Sequence, residues 1–481
     1  MKLKFIINSL LLVTPIGLSA VEAAKSESPN ILFILSDDQG WSQLSKSMSP
    51  DISGSSSGYL STPNIDRLGD AGLRFINGYS PAPICTPTRR SILCGVSTAR
   101  GGTEFKSSYV PAEHMTIPKA LKQANPQYIC AHFGKWGGPT MISSPEECNY
   151  DFSNGITGNP EGGMPVSLGV KGGHNDGPPH FIDNKDPKRT GSVTDAAIEI
   201  MRRSVKEKRP FYVQVSYYAV HLSVVCKEET LAKYLQKGEP DRSYTPAWAA
   251  MMDEMDQGVG RLLEMVEKLN ISDNTYIFFM SDNGGTESIP GKNVERRSPN
   301  YPLSGAKSTL LEGGIRVPFI VKGPGISPGS YSHVPVVGYD LLPTFFDLAG
   351  GKFPLPGDID GGSIMPLFSN PVNGVVKRPL DELIFHHPGA LSSAIRQGPY
   401  KLFVTWNQEG EIESRALYNL EADVVENTKS NLATTKTSKT NEMEKILLNY
   451  LKLVDAKNPT TIREYFSGNQ KVARLPNGSD D

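Results

Sequence analysis

Two adjacent carboxylates, Asp37 and Asp38, close an apolar run, Ile31-Leu32-Phe33-Ile34-Leu35. A related corner recurs far downstream, where Tyr276-Ile277-Phe278-Phe279-Met280 runs into Ser281-Asp282-Asn283. One acidic pair after a strand is ordinary loop chemistry, since Asp is common in turns. Two such corners on neighbouring strands would bring carboxylate and amide oxygens together without sulfur or imidazole. That set suits a hard dication, Ca²⁺ or Mg²⁺, better than zinc. A third stretch is Cys85-Thr86-Pro87-Thr88-Arg89-Arg90-Ser91-Ile92-Leu93-Cys94-Gly95. Pro87 suits the first position of a helix and Thr86 its cap, which puts Cys85 just outside a helix N-terminus. Free N–H groups and the positive end of the helix dipole make such a place an anion site, and Arg89 can turn a guanidinium toward it.

These groups need rigid elements to hold them. The two apolar runs read as central strands buried on both faces, and acids at their carboxyl ends sit where open α/β sheets place ligands. Helices over residues 62–71, 193–205 and 247–269 supply cover, with Met251, Met252 and Met255 as core material at helical spacing. A strand over residues 211–217 leads to Ala219-Val220-His221. After a Pro/Gly-rich connection at residues 370–378, short strands at Ala394-Ile395-Arg396, Tyr400-Lys401-Leu402-Phe403 and Leu417-Tyr418-Asn419-Leu420 precede a helix face of Met443, Ile446, Leu447, Tyr450, Leu451 and Val454. The expected fold class is α/β: a large, mostly parallel central sheet flanked by helices over residues 25–372, and a smaller C-terminal α+β lobe over residues 373–481.

Of the 481 residues, 49 are Lys or Arg and 51 Asp or Glu, a formal charge of −2. That balance gives no net attraction to nucleic acid or an anionic membrane. Residues 1–24 carry Lys2 and Lys4, an apolar run over residues 5–18, and Ala20, Ala23 and Ala24, the pattern of a cleavable secretory signal. No later stretch offers the roughly 20 apolar residues a membrane helix needs. A secreted or periplasmic protein without a membrane span is expected. Five cysteines are an odd number for an exported chain. The spacing of Cys130 and Cys148 cannot by itself establish a bridge.

The stretch from Cys85 to Gly95 resembles the signature of the formylglycine-dependent sulfatases, which belong to the alkaline-phosphatase-like superfamily. In that family the cysteine is oxidised after translation to formylglycine (3-oxoalanine) by a maturation enzyme. Thr88 stands where serine is usual and Cys94 where threonine is usual; Thr88 keeps the hydroxyl. The resemblance extends from about residue 30 to residue 433 and implies roles for other positions. Asp37, Asp38, Asp282 and Asn283 match the family's metal ligands, with the modified Cys85 beside them. Gly134-Lys135-Trp136-Gly137 is similar to a family Gly-Lys-Trp-His, so Lys135 is implied to bind sulfate, whereas Gly137 replaces a histidine that contacts the formylglycine hydroxyls. Gly305-Ala306-Lys307-Ser308-Thr309 resembles another family block and implies a second sulfate-binding lysine, Lys307. His221 resembles the strand-end histidine that contacts the substrate's bridging oxygen. A Gly/Pro-rich insertion over residues 155–189 holds His174, a candidate for substrate contact or for the missing histidine.

The resemblance implies an exported hydrolase that removes sulfate from a sulfated carbohydrate. Its parts are a formylglycine hydrate as nucleophile, Ca²⁺ or Mg²⁺ with Lys135, Lys307 and Arg89 to cancel charge, and His221 to protonate the departing alcohol. Two other readings share the same residues. One is a phosphomonoester or phosphodiester hydrolase of the same fold; the other, suggested by Gly137, is a metal-holding binder of sulfated glycans without turnover.

Overall fold

The computed structural model describes residues 28–103, 107–163 and 180–458. The expected leader at residues 1–24 and His174 lie outside the described residues. Eight strands form the main sheet: β1 (Asn30–Ser36), β2 (Leu73–Phe75), β3 (Ile129–Gly134), β4 (Phe152–Ser153), β5 (Phe211–Ser216), β6 (Thr275–Ser281), β7 (Phe319–Lys322) and β8 (Ser330–Ser332). They lie in the order β8-β2-β7-β6-β1-β5-β3-β4, and every pairing is parallel except the two made by β7.

Alternation along the strands explains their unbroken apolar runs. Leu32 and Ile34 enter one core with Val213, Ile277 and Phe279, while Ile31, Phe33 and Leu35 enter the other with Tyr212, Phe278 and Met280. Strand β1 is buried along its whole length, so apolar side chains alternate into both cores. The covering helices are α1 (Pro63–Asp70), α2 (Cys85–Cys94), α3 (Ile117–Ala124), α4 (Thr190–Lys206), α5 (Pro246–Lys268) and α6 (Leu341–Leu348). Val193, Ala197 and Met201 of α4 pack on the first face with Met251, Met252 and Met255 of α5, so these methionines are core. On the other face lie Ile92 and Leu93 of α2, Leu121 of α3 and Phe345 of α6.

A second, antiparallel sheet follows: β9 (Leu383–His387), β10 (Ser392–Gln397), β11 (Tyr400–Trp406) and β12 (Ile412–Asn419), paired in chain order. Met443, Leu447 and Tyr450 of α7 (Thr437–Leu453) pack with it. Strand β9 is absent from the sequence reading because its apolar part is only Leu383-Ile384-Phe385, followed by two histidines and Pro388. This sheet is tied to the larger one by a buried ion network. Lys401 Nζ on β11 lies 3.0 Å from Glu312 Oε1 and 2.8 Å from Glu426 Oε1, and Glu426 Oε2 accepts the Glu312 N–H at 2.6 Å. Glu312 ends the loop that carries Lys307, so the C-terminal sheet braces part of the site. All five cysteines are free and buried. Among the described residues no helix is long and apolar enough to cross a membrane.

Candidate active site

Strand register brings the two acidic corners together. Ser36 and Ser281 are partners across β1 and β6, and the Asp282 N–H donates to the Ser36 carbonyl at 3.0 Å. Oxygens of Asp37, Asp38 and Asp282 consequently lie within 4.8 Å of one another, all buried. Asn283 donates through Nδ2 to Asp38 Oδ1 at 2.8 Å. Asp38 holds its carboxylate from a left-handed backbone, φ +60°, which Asp tolerates better than most residues.

Helix α2 starts two residues earlier than the sequence suggests. Ile84, in extended conformation, is the residue before it, and the Thr88 N–H reaches the Ile84 carbonyl at 3.4 Å. Cys85 is therefore the first helical residue rather than lying outside the helix. Thr86 does not cap; its hydroxyl faces the Gly137 carbonyl at 3.3 Å. Pro87 is still tolerated because first-turn N–H groups have no partner within the helix. Gly95 ends α2 at φ +69°, the left-handed stop that glycine accepts without strain. Thr88 uses the hydroxyl it retains, donating to the Ala82 carbonyl at 3.1 Å and meeting Ser80 Oγ at 3.0 Å. Ser80 Oγ in turn donates to the Asp282 carbonyl at 2.6 Å, so the start of α2 and the Asp282 corner are coupled.

The cations converge from three other segments. Lys135 follows β3, held by its N–H on the Ser216 carbonyl, and its Nζ lies 2.6 Å from Asp37 Oδ2. Lys307 Nζ lies 2.7 Å from Asp38 Oδ2. Arg89 sends Nε and Nη2 to Asp282 Oδ2 at 3.0 and 2.6 Å and Nη1 to the Lys135 carbonyl at 2.7 Å. Its directed bonds thus orient Asp282 and Lys135 rather than point at a ligand. The Cys85 thiol lies within electrostatic range of Arg89, Lys135 and Lys307. His221 is delivered by the turn after β5: the Asp37 N–H bonds the Ala219 carbonyl at 2.9 Å and the Val220 N–H bonds the Asp37 carbonyl at 2.6 Å. This leaves His221 Nε2 3.9 Å from Asp38 Oδ2 and Nδ1 2.5 Å from the Leu222 carbonyl.

Protonation follows from burial set against these charges. Burial alone would raise Asp37, but Lys135, His221, Arg89 and Lys307 override it and hold the carboxyl well below its ordinary range. Asp38 is lowered too, burial being outweighed chiefly by Lys307. Burial and repulsion from Asp37 push Asp282 up to about 7 against the pull of Arg89. Carboxylates this close resist full ionisation together, and a dication among them removes that conflict. Burial, Lys307 and Lys135 hold His221 down at about 3.

The residues fit a hard cation. Asp37 Oδ1 and Asn283 Oδ1 are buried without any hydrogen-bond partner, and such oxygens are costly unless a further positive group meets them. Three carboxylates face three fixed cations, so the pocket is formally neutral before a dication joins it.

Of the residues expected from sequence, Cys85, Arg89, Lys135, His221, Lys307, Asp37, Asp38, Asp282 and Asn283 gather in this pocket. Gly137 adopts φ +131°, and a Cβ there would lie 2.8 Å from Met141 Cγ, so its backbone is one that a histidine enters only with strain. Ser80, Gln43 and Asn300 also organise the pocket. No charge or motif spacing marks them in the sequence.

The sheet and pocket define an alkaline-phosphatase-like hydrolase. The sulfatase family profile matches residues 29–351, and the chain belongs to that family as a sulfuric ester hydrolase. It is 28% identical over 513 residues to a sulfatase of Formosa agariphila, covering 88% of each chain. It is 29% identical over 434 residues to the N-acetylgalactosamine-6-sulfatase of Canis lupus familiaris, covering 84% of this chain and 76% of that one. Among solved structures, Ps i-CgsB in complex with k-i-k-neocarrahexaose aligns with a TM-score of 0.70 at 26% identity, over 90% of this chain and 94% of that one.

Proposed function

We propose that this sulfatase is exported through a signal at residues 1–24 and removes sulfate from a sulfated glycan, with Cys85 matured to formylglycine. The observation that carries the reading is the convergence of Asp37, Asp38 and Asp282, within 4.8 Å of one another, on the start of α2 beside Lys135 and Lys307. Matured residue 85 supplies a geminal diol, one hydroxyl to attack sulfur and a second to expel sulfate. A Ca²⁺ or Mg²⁺ ion held by Asp37, Asp38, Asp282 and Asn283 supplies electrophilic charge.

The chain's own groups do the rest. Lys135 and Lys307 hold the sulfate oxygens, each able to turn from its carboxylate toward the anion. Arg89 fixes Asp282 and the Lys135 backbone. His221 donates Nδ1–H to the Leu222 carbonyl and presents Nε2 to the bridging oxygen. It serves the departing alcohol as an acid once Nε2 takes up a proton, which the anionic ester favours by offsetting the two lysines that join burial in holding the free ring neutral. Arg297, exposed on the segment that follows the Asp282 corner, stacks 4.5 Å from the Tyr301 ring and offers a charge to a polyanionic chain. The glycan assignment draws further support from the similarity to a sulfatase structure bound to a neocarrahexaose.

The test is sulfate release from a panel of defined sulfated oligosaccharides, run beside aryl sulfate and aryl phosphate with matured enzyme. Turnover of at least one glycan with aryl sulfate well above aryl phosphate is expected. A large phosphate preference, or binding without turnover, overturns the reading.

A further inference from the structure

We infer that Asn300, assisted by Gln43, is a positioning residue that clasps the two acidic corners into one cation-holding unit. The inference rests on the metal reading above. Asn300 is buried at 1% exposure, and its amide pairs with both polar groups of one residue: Oδ1 accepts the Gly285 N–H at 3.0 Å and Nδ2 donates to the Gly285 carbonyl at 2.9 Å. Gly285 lies two residues past Asn283. The same Oδ1 faces Gly40, two residues past Asp38, so closely that a Cβ on Gly40 would sit 2.4 Å from it; on Gly285 the distance would be 2.7 Å.

Gln43 interleaves with this contact. Its Oε1 accepts the Gly40 N–H at 2.7 Å and its Nε2 donates to the Pro299 carbonyl at 3.3 Å. The third segment of the pocket joins as well: the Lys307 N–H donates to the Gly285 carbonyl at 3.1 Å, and Asn300 Nδ2 reaches the Gly305 carbonyl at 3.3 Å. The Asn300 amide thus ties the turn after Asp282-Asn283 to the loop bearing Lys307 and packs against the turn after Asp37-Asp38, which Gln43 holds by its hydrogen bond to Gly40. Only a planar group with a donor and an acceptor can satisfy a peptide N–H and carbonyl together; Asp lacks the donor, and its charge would face two carbonyl oxygens. Both glycines lack a Cβ because the clasp occupies that space.

The test titrates Ca²⁺ alone into the full chain by calorimetry, for wild type, Asn300→Asp and Gln43→Met, with thermal melts and steady-state kinetics alongside. Loss of Ca²⁺ affinity by about tenfold to a hundredfold in Asn300→Asp, the range typical of groups that orient metal ligands, is expected. A smaller loss is expected in Gln43→Met, with kcat falling more than KM rises and excess Ca²⁺ restoring part of it. Wild type that binds Ca²⁺ with variants that melt lower but bind it equally well overturns the clasp and leaves the metal reading standing. Wild type that binds neither Ca²⁺ nor Mg²⁺ overturns both. If Asn300→Asp does not fold, Gln43→Met decides by the same readouts.

Discussion

Asp37 Oδ1 and Asn283 Oδ1, from the ends of neighbouring parallel strands, are both buried and both lack a hydrogen-bond partner. Two unmatched acceptors in one pocket are a standing cost that a cation removes. Chelation with EDTA should therefore abolish sulfate release, and Ca²⁺ should restore it. Asp38→Asn and Asp282→Asn should each lower kcat/KM by at least a hundredfold, on the order expected when charge stabilisation at the reacting centre is lost. Activity that survives exhaustive chelation would contradict the assignment.

The two lysines should separate stability from catalysis. Lys135 is 2% exposed and paired with a fully buried Asp37, whereas Lys307 retains 20% exposure. Lys135→Ala strands a buried carboxylate and should cost about 3 kcal/mol of stability, as breaking one side of a buried pair does. Lys307→Ala should cost clearly less. Both should lower kcat/KM by about a hundredfold or more. Melting curves and kinetics on the two variants check the ordering.

Restoring a histidine at position 137 should fail. The φ of +131° and the 2.8 Å approach to Met141 Cγ oppose any side chain there. Gly137→His should lose about 1–3 kcal/mol of stability, the usual size of such backbone strain, without raising kcat. A faster, equally stable variant would show that the loop accepts the residue and that the missing histidine limits turnover.

His386 gives a pH signature remote from the pocket. It is buried between Ser393 Oγ at 2.7 Å and the Lys457 carbonyl at 2.8 Å, and burial lowers it to about 4 from 6.5. The unfolded chain holds a proton in that window and the folded chain does not. The resulting stability is complete above the unfolded value and is lost as pH falls toward 4. Between pH 7 and 5 the wild type should lose about 2 kcal/mol more than His386→Gln. Equal losses in the two proteins would place the protonation elsewhere.

Much of the site was readable because its groups sit at strand ends. The apolar runs before Asp37 and Asp282 were long enough to declare buried strands, and adjacency in a parallel sheet did the rest. Lys135, Lys307 and His221 became legible only through the family resemblance, since a lone loop lysine or histidine has no pattern of its own. Arg89 was legible as a cation near the helix start but not as the group that orients Asp282, because spacing does not report which acceptor a guanidinium chooses. The start of α2 lies two residues before the one its sequence suggests: Thr86 has the chemistry of a cap, yet its hydroxyl is drawn to Gly137, a contact made across 51 residues. Ser80, Gln43 and Asn300 left no trace because their partners are mainly backbone groups, which no residue type announces, whether near in the chain, as Gly40 is to Gln43, or far, as Asp282 is from Ser80.

The measurement that bears most directly on the account is the mass of the peptide containing residue 85, taken from enzyme matured in its host and assayed for sulfate release in the same preparation. Formylglycine at position 85 in the active fraction, with Cys85→Ala inactive, is the predicted result. Fully active enzyme whose residue 85 is still cysteine would contradict it.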